Sequence, residues 1–260
     1  MEHGLSLHIR LDNGRQILFD MGQRRLFADN AERLGINLAD VDLAIVSHGH
    51  YDHGGGLRTF LGLNSKAKVY VSRDAFKPHY SLREDGLKYI GLDPELEIHD
   101  RLIFCGDEAC MDKDIVLFSG ISGDCLKPPG NRLLFGPAKD RNDEFRHEQS
   151  LVVREGKNVV LFAGCAHNGI VNIMRRGMQV TGCPFTHVFA GMHLVKSGLA
   201  EKEEAMFIRA LAGKLSECPG CRYFTMHCTG TAQYETLKKE MGDAISYMGC
   251  GDSVEINARE

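Results

Sequence analysis

A cluster of three histidines and one aspartate, His48, His50, Asp52 and His53, occupies a single short segment of the sequence. Imidazole and carboxylate groups are ligands suited to Zn²⁺, Fe²⁺ or Mn²⁺. In an extended segment, residues two apart point to the same side, so His48 and His50 can reach one metal ion. Once the chain turns, Asp52 and His53 can face a second ion. The spacing therefore predicts a metal site rather than a polar surface loop.

The remaining histidines are sorted by what precedes them. Three follow predicted strands and are candidates for further ligands: His167, His193 and His227. His147 precedes a strand in a basic loop, and its role is left open between the site and the scaffold. The other five are interpreted as surface or core residues: His3, His8, His79, His99 and His187.

The elements that must position these side chains follow from hydrophobic periodicity and turn residues. Asn13-Gly14 between two alternating runs predicts a hairpin of Leu5–Leu11 with Gln16–Asp20. The glycine-rich segment after Ser47 is predicted to hold no regular element. Further strands are predicted at 41–47, 68–72, 149–154, 158–163, 185–190 and 222–226, and helices at 24–34, 57–63, from about 170, 201–216 and 231–241. Five of the seven prolines lie in 75–147, which predicts an irregular middle.

The composition excludes several classes of protein. The chain has 260 residues, 43% of them hydrophobic and 25% charged, which excludes a disordered or collagen-like protein. A net charge of −4 provides no basic field for nucleic acid or an anionic membrane. No apolar run could span a membrane and no secretory signal is evident. Nine cysteines without a disulfide rhythm predict reduced thiols in the cytoplasm. Cys218-Pro-Gly-Cys221 is interpreted as a surface turn, with metal binding or redox chemistry as alternatives.

Several stretches together resemble the metallo-β-lactamase superfamily. They are Leu18-Phe19-Asp20-Met21-Gly22, EHGLSL at 2–7, SHGHYDHGGGL at 47–57, GCAHNGIVNI at 164–173 and HCTG at 227–230. Within the superfamily, the chain is most similar to the subgroup named for 7,8-dihydropterin-6-methyl-4-(β-D-ribofuranosyl)aminobenzene-5′-phosphate synthase. The first motifs are specific for fold and metal, whereas the subgroup motifs do not specify the reaction.

The resemblance implies an α/β (α+β) fold, a four-layer αββα sandwich with a metal site at one edge of the two sheets. It also implies a single domain over 1–260, made of two similar halves. These halves are expected at about 1–120 and 149–260, with a loop-rich insert at about 75–148.

The resemblance further implies two divalent metal ions, zinc above all, with iron or manganese as alternatives. The expected ligands of the first ion are His48, His50 and His167, and those of the second are Asp52, His53 and His227. Asp20 is expected to accept a hydrogen bond that orients the ligand loop.

Two departures from the superfamily pattern stand out. Relatives bridge the two metals with an aspartate, but the interval from Asn168 to Met226 contains none. Cys165 or His193 could substitute in part, although His193 is preferred as a substrate-binding or proton-transfer residue. Relatives also have another strand ahead of EHGLSL. Its absence would leave a sheet edge available for pairing, so we expect a homodimer.

The chemistry so implied is that of a metal-dependent hydrolase, in which a metal-activated water attacks an ester, amide or phosphoester. Asp52 would orient the nucleophile and His193 would donate a proton to the leaving group. The alternatives are a transferase that joins a pterin diphosphate to a ribofuranosylaminobenzene phosphate, and a non-catalytic metal-binding or sensing protein. We expect a small-molecule substrate, with an anionic or a phosphorylated compound among the alternatives. Basic residues that could bind phosphate, or simply form a solvated loop, are Lys127, Arg132, Lys139, Arg141 and Arg146.

Overall fold

The structure is a computed structural model that describes residues 2–257. Its first two strands form the hairpin that Asn13-Gly14 predicts. Leu7–Arg10 (β1) and Gln16–Phe19 (β2) are antiparallel, with Leu7 opposite Phe19. Gly14 has φ +84°, a left-handed conformation that glycine adopts without steric cost. The hairpin prediction is confirmed.

The other elements follow in chain order. The remaining strands are β3 (Leu43–Ile45), β4 (Lys68–Ser72), β5 (Tyr80–Arg83), β6 (Gly86–Tyr89), β7 (Leu102–Cys105), β8 (Glu108–Cys110), β9 (Ile115–Phe118), β10 (Leu134–Phe135), β11 (Ser150–Glu155), β12 (Asn158–Ala163), β13 (His187–Ala190), β14 (Arg222–Thr225) and β15 (Ile245–Tyr247). The helices are α1 (Leu26–Arg33), α2 (Tyr51–Gly54), α3 (Leu57–Leu63), α4 (Ile170–Thr181), α5 (Glu201–Ser216) and α6 (Thr231–Met241).

The chain divides into two compact units. Unit 1 comprises Met1–Glu108 and Leu133–Gln149, and unit 2 comprises Ala109–Arg132 and Ser150–Glu260. Residues 1 and 258–260, which belong to the predicted single domain, lie outside the described residues.

Unit 1 is built on a five-stranded sheet in the order β1-β2-β3-β4-β7, beside a three-stranded sheet in the order β10-β5-β6. Strands β2, β3, β4 and β7 run parallel to one another, whereas β1 is antiparallel to β2. Apolar side chains of this sheet, such as Leu18 and Val69, share one buried cluster with Ala28 of α1 and Phe60 of α3. The parallel arrangement brings the carboxyl ends of β2 and β3, and so the residues after them, to one edge of the sheet.

Unit 2 is built on a seven-stranded sheet in the order β15-β14-β13-β12-β11-β9-β8. The four strands β12 to β15 run parallel, so the loops after β12, β13 and β14 leave from the same edge. Helices α4, α5 and α6 contribute Ile173, Leu211 and Leu237 to the core, where they join Leu161 and Tyr223 of the strands. The loops that follow β12, β13 and β14 carry the histidines predicted as ligands.

The middle of the chain is less regular than the rest, as its prolines predict. The interval 75–147 contains the six short strands β5 to β10 and none of the helices α1 to α6. The five prolines all lie between strands, where their missing N–H groups interrupt no ladder. Within residues 2–257, no helix is long and apolar enough to cross a membrane.

Candidate metal centre

His48 and His50 leave the carboxyl end of β3 and are buried, with 0% and 5% of their surface exposed. His48 Nε2 lies 3.0 Å from His50 Nδ1. A tetrahedral zinc ion with Zn–N bonds of about 2.0–2.1 Å holds two nitrogens roughly 3.3 Å apart. The two imidazoles are therefore spaced as ligands of one ion, as the alternation of an extended segment predicts.

Ser47 and Asp20 determine which nitrogen His48 presents. Ser47 donates its backbone N–H to Asp20 Oδ1 and its hydroxyl to Asp20 Oδ2, both at 2.7 Å. The Ser47 oxygen also lies 2.9 Å from His48 Nδ1. Because the hydroxyl proton is directed at Asp20, the Ser47 oxygen accepts the Nδ1–H of His48. The lone pair of His48 is then on Nε2, the atom next to His50.

Asp20 also orients His53. The Nδ1–H of His53 donates to Asp20 Oδ2 at 2.6 Å, and both side chains are fully buried. Nε2 is therefore the nitrogen of His53 that can bind a metal ion. It lies 4.0 Å from Asp52 Oδ2. The carboxylate of Asp20 thus accepts hydrogen bonds from three donor atoms of the segment 47–53, which we call the ligand segment. A contact of this kind was expected of Asp20.

Asp52 and His53 lie on α2, so the prediction that no regular element follows Ser47 is wrong. The backbone N–H groups of His53 and Gly54 both donate to the carbonyl of His50 at 3.1 Å, which closes one helical turn. Two of the glycines that suggested a loop instead allow close packing. A Cβ at Gly55 would lie 2.2 Å from the carbonyl oxygen of Gln23, and one at Gly56 would lie 2.0 Å from that of Met21.

A second buried network, which we call the Asp143 network, consists of Asp143, His79 and His147. Asp143 Oδ2 accepts the Nδ1–H of His79 at 2.7 Å and lies 3.3 Å from His147 Nε2. His147 Nδ1 accepts the backbone N–H of Gly49 at 2.9 Å. This network therefore supports the backbone between His48 and His50.

The charge states in this network follow from its burial. Burial by itself raises the pKa of Asp143, but the hydrogen bonds with His147 and His79 outweigh it and hold the pKa well below its usual range. Burial lowers the pKa of His147 and, more strongly, that of His50. A neutral imidazole is the form that binds metal. The sequence indicated only a surface or core role for His79. Its contact with Asp143 could not be predicted, because 64 residues of sequence separate the two.

In unit 2, Asn131 holds His167. The Nδ1–H of His167 donates to Asn131 Oδ1 at 2.9 Å, and the Asn131 amide donates to the carbonyl of His167 at 2.7 Å. His167 therefore presents Nε2. Asn131 was not singled out from the sequence because it lies in none of the motifs. Ser47 belongs to the stretch 47–57, but the sequence indicated no role for its side chain.

His193 and His227, which follow β13 and β14, have left-handed backbone conformations with φ +45° and +52°, and Ala166 has φ +53°. Such conformations cost non-glycine residues about 1–3 kcal/mol and concentrate at functional sites. The rings of His193 and His167 lie 4.4 Å apart between centroids. Unit 2 thus brings together His167 and His193, with Cys165 within ligand distance of both.

Cys165, His227 and Cys228 form a second group in unit 2, which we call the thiol cluster. Their ligand atoms all lie within 4.8 Å of one another. Burial raises the pKa of Cys228, but hydrogen bonds with Cys165 and His193 outweigh it and lower the pKa well below its usual value. Cys228 was missed in the sequence, although it directly follows a predicted ligand.

Comparisons with known proteins identify the family of the chain. The model of the metallo-beta-lactamase superfamily matches residues 3–177. Among solved structures, Tm1679, a metal-dependent hydrolase of the beta-lactamase superfamily, shares 30% sequence identity and a TM-score of 0.78, covering 98% of this chain and 92% of that one. This similarity confirms the predicted fold class.

Two proteins of Methanocaldococcus jannaschii are also similar. One, an uncharacterized protein, is 29% identical over 199 residues, which cover 75% of this chain and 73% of that protein. The other is named 7,8-dihydropterin-6-methyl-4-(beta-D-ribofuranosyl)-aminobenzene-5'-phosphate synthase; it is 24% identical over 273 residues, covering 98% and 90%. Together with the match to the superfamily model, these similarities show that the chain belongs to the metallo-β-lactamase superfamily.

Proposed function

We propose that the protein is a metal-dependent hydrolase acting on an ester, amide or phosphoester. The observation that carries the proposal is the buried pair of His48 and His50, whose facing nitrogens lie 3.0 Å apart. Asp20 and Ser47 hold the proton of His48 on Nδ1, away from the Nε2 that faces His50. The family membership and the similarity to Tm1679 support the same reading.

The predicted ligands are proposed to hold two divalent ions, zinc in the first place and iron or manganese as alternatives. The proposed ligands are His48, His50 and His167 for one ion, and Asp52, His53 and His227 for the other. Such ions supply Lewis acidity toward a carbonyl or phosphoryl oxygen and make a water molecule acidic near neutral pH.

Two residues are proposed to act on the substrate directly. Asp52 is partly exposed, with 19% of its side chain accessible, so its carboxylate can accept a hydrogen bond from an attacking water. His193 Nδ1 has no hydrogen-bond partner within the described residues, so it is available to donate a proton to a leaving group. Cys165 is proposed to lie beside the ligands.

The basic residues expected near an anionic substrate are mostly engaged elsewhere. Lys127 pairs with Asp124, Arg146 with Glu144, and Arg132 donates to the carbonyl of Gly198. Lys139 lies 4.5 Å from the ring centroid of Tyr80. These contacts favour a solvated loop, and we propose a small-molecule substrate without requiring a phosphate. The homodimer and the cytoplasmic location remain predictions.

The test is turnover of a panel of ester, lactam and phosphodiester reporters with added Zn²⁺ or Mn²⁺. We expect turnover that is lost in His50→Ala, with metal content measured in the same samples. His99→Ala, which removes a surface histidine, is the control. Turnover that survives in His50→Ala would contradict the proposal.

A transferase is the second candidate, because the similarity to the dihydropterin synthase extends over 98% of the chain. It predicts diphosphate release only when a pterin diphosphate and an arylamine phosphate are both present. A protein that binds metal but turns over neither the hydrolase panel nor this pair would instead support a non-catalytic metal-binding or sensing role.

A further inference from the structure

The thiol cluster of unit 2 brings two sulfurs and an imidazole to one place. Cys165 lies two residues after β12, whereas His227 and Cys228 lie just after β14. Because β12, β13 and β14 are parallel, these loops leave from the same edge of the sheet. The sheet therefore brings Cys165 to two donors that follow it by 62 and 63 residues in the sequence.

The separations suit a common cation. A tetrahedral zinc ion with Zn–S bonds of about 2.3 Å holds two sulfurs roughly 3.8 Å apart. The three ligand atoms of the cluster lie within 4.8 Å of one another. A shift of at most about 1 Å between any two donors therefore brings them to ligand distance.

The packing around Cys228 leaves space for its sulfur, which lies 4.0 Å from the carbonyl oxygen of Cys165 and accepts one backbone N–H. A Cβ at Gly191 would lie 2.7 Å from Cys228 Sγ and 2.9 Å from the carbonyl oxygen of Gly164. The backbone N–H of His193 donates to Cys228 Sγ at 3.2 Å. A backbone donor aimed at a sulfur is the contact that orients and stabilises a thiolate ligand.

We propose that Cys165, His227 and Cys228 bind a thiophilic divalent cation, such as zinc or iron(II), with both cysteines as thiolates. Each thiol releases its proton to solvent when the cation binds. Sulfur and imidazole donors select such ions over magnesium or calcium. The inference rests on the proposed function only through His227, which belongs to both ligand sets.

X-ray absorption at the zinc edge of the zinc-loaded full chain tests the proposal. We expect a sulfur shell at about 2.3 Å in addition to nitrogen and oxygen at about 2.0–2.1 Å. Cys165→Ser and Cys228→Ser should each reduce the sulfur shell, and the double variant should abolish it. A wild-type spectrum with nitrogen and oxygen ligands alone overturns the proposal, and this result does not depend on the folding of any variant.

Two control variants distinguish the proposed thiolate ligands from other cysteines that could bind zinc. Cys218→Ser removes a thiol of the Cys218–Cys221 pair, and Cys183→Ser removes a thiol outside either group; both should leave the sulfur shell unchanged. A sulfur shell that disappears in Cys218→Ser but persists in Cys165→Ser overturns the proposal. Circular dichroism of each variant verifies folding, and Cys228→Ala replaces Cys228→Ser where the serine variant does not fold.

The result is independent of the hydrolase proposal. Reporter turnover without a sulfur shell would leave the hydrolase standing and overturn the thiolate site. A sulfur shell in a protein that hydrolyses none of the reporters would support the thiolate site and contradict the hydrolase.

Discussion

Unit 1 and unit 2 position their metal-competent side chains by different means. In unit 1 the predicted ligands lie on one six-residue segment, and a single buried carboxylate, Asp20, orients the histidines at both ends of it. In unit 2 the donors come from three loops after three parallel strands, and two of the histidines have left-handed backbone. The first arrangement is encoded locally, whereas the second depends on the register of a sheet.

The largest effect is expected for Asp20→Ala. It removes the acceptor of three hydrogen bonds, all within the buried interior of unit 1. Removing one partner of a buried charged network costs about 3–5 kcal/mol. Loss of the orienting carboxylate should also weaken metal binding by about 10–100-fold. Urea unfolding and metal titration measure the two effects.

Asp42→Ala is the control for Asp20→Ala, since the partly exposed Asp42 pairs with Lys66 and accepts the backbone N–H of Gln16. It should change the free energy of unfolding by no more than about 1–2 kcal/mol. If Asp20→Ala unfolds no more easily than this control, the buried carboxylate does not organise the ligand segment.

Asp143→Asn should remove a pH dependence of stability that belongs to unit 1. The pKa of Asp143 is lowered in the folded protein, so its contribution is present above the ordinary carboxyl pKa of about 3.9. It is lost as the pH falls below that value. We expect the variant to be less stable by about 2–3 kcal/mol at pH 6, with a smaller loss of stability between pH 5 and pH 3. Equal slopes for both proteins would contradict the assignment.

Gly191→Ala tests the packing of unit 2. The new Cβ would lie 2.7 Å from Cys228 Sγ, and relieving that contact should cost about 1–3 kcal/mol. Gly213→Ala in α5 is the control, because a Cβ there meets nothing within 4 Å, and it should stabilise the helix by about 0.5–1 kcal/mol. Thermal unfolding of both variants decides whether the space beside Cys228 requires glycine.

The smallest effect is expected for Asn131→Ala. Asn131 fixes the ring of His167 but is partly accessible, so we expect roughly a tenfold loss of metal affinity and little change in stability. Asn131→Asp keeps an acceptor for the Nδ1–H of His167 but loses the donor to the His167 carbonyl, so it should recover only part of that affinity. Equal affinities for wild type and Asn131→Ala would show that His167 needs no such support.

The sequence patterns predicted those elements whose signals are local. The helix over 57–63, the strand over 68–72 and the helix over 201–216 agree with the structure at both ends. The ligand segment was recognised because its residues are adjacent. Asn131, which contacts a residue 36 positions away, carries no signal of its own. The same holds for the Asp143 network, because tertiary packing alone unites its members.

The left-handed backbone at His193 and His227 bears on how this chain tolerates mutation. Glycine or asparagine at either position would relax the backbone by about 1 kcal/mol while removing an imidazole. A library sorted only for abundance of folded protein would therefore enrich such variants, whereas one sorted for metal content would deplete them. At these two loops, selection for folding and selection for chemistry act in opposite directions.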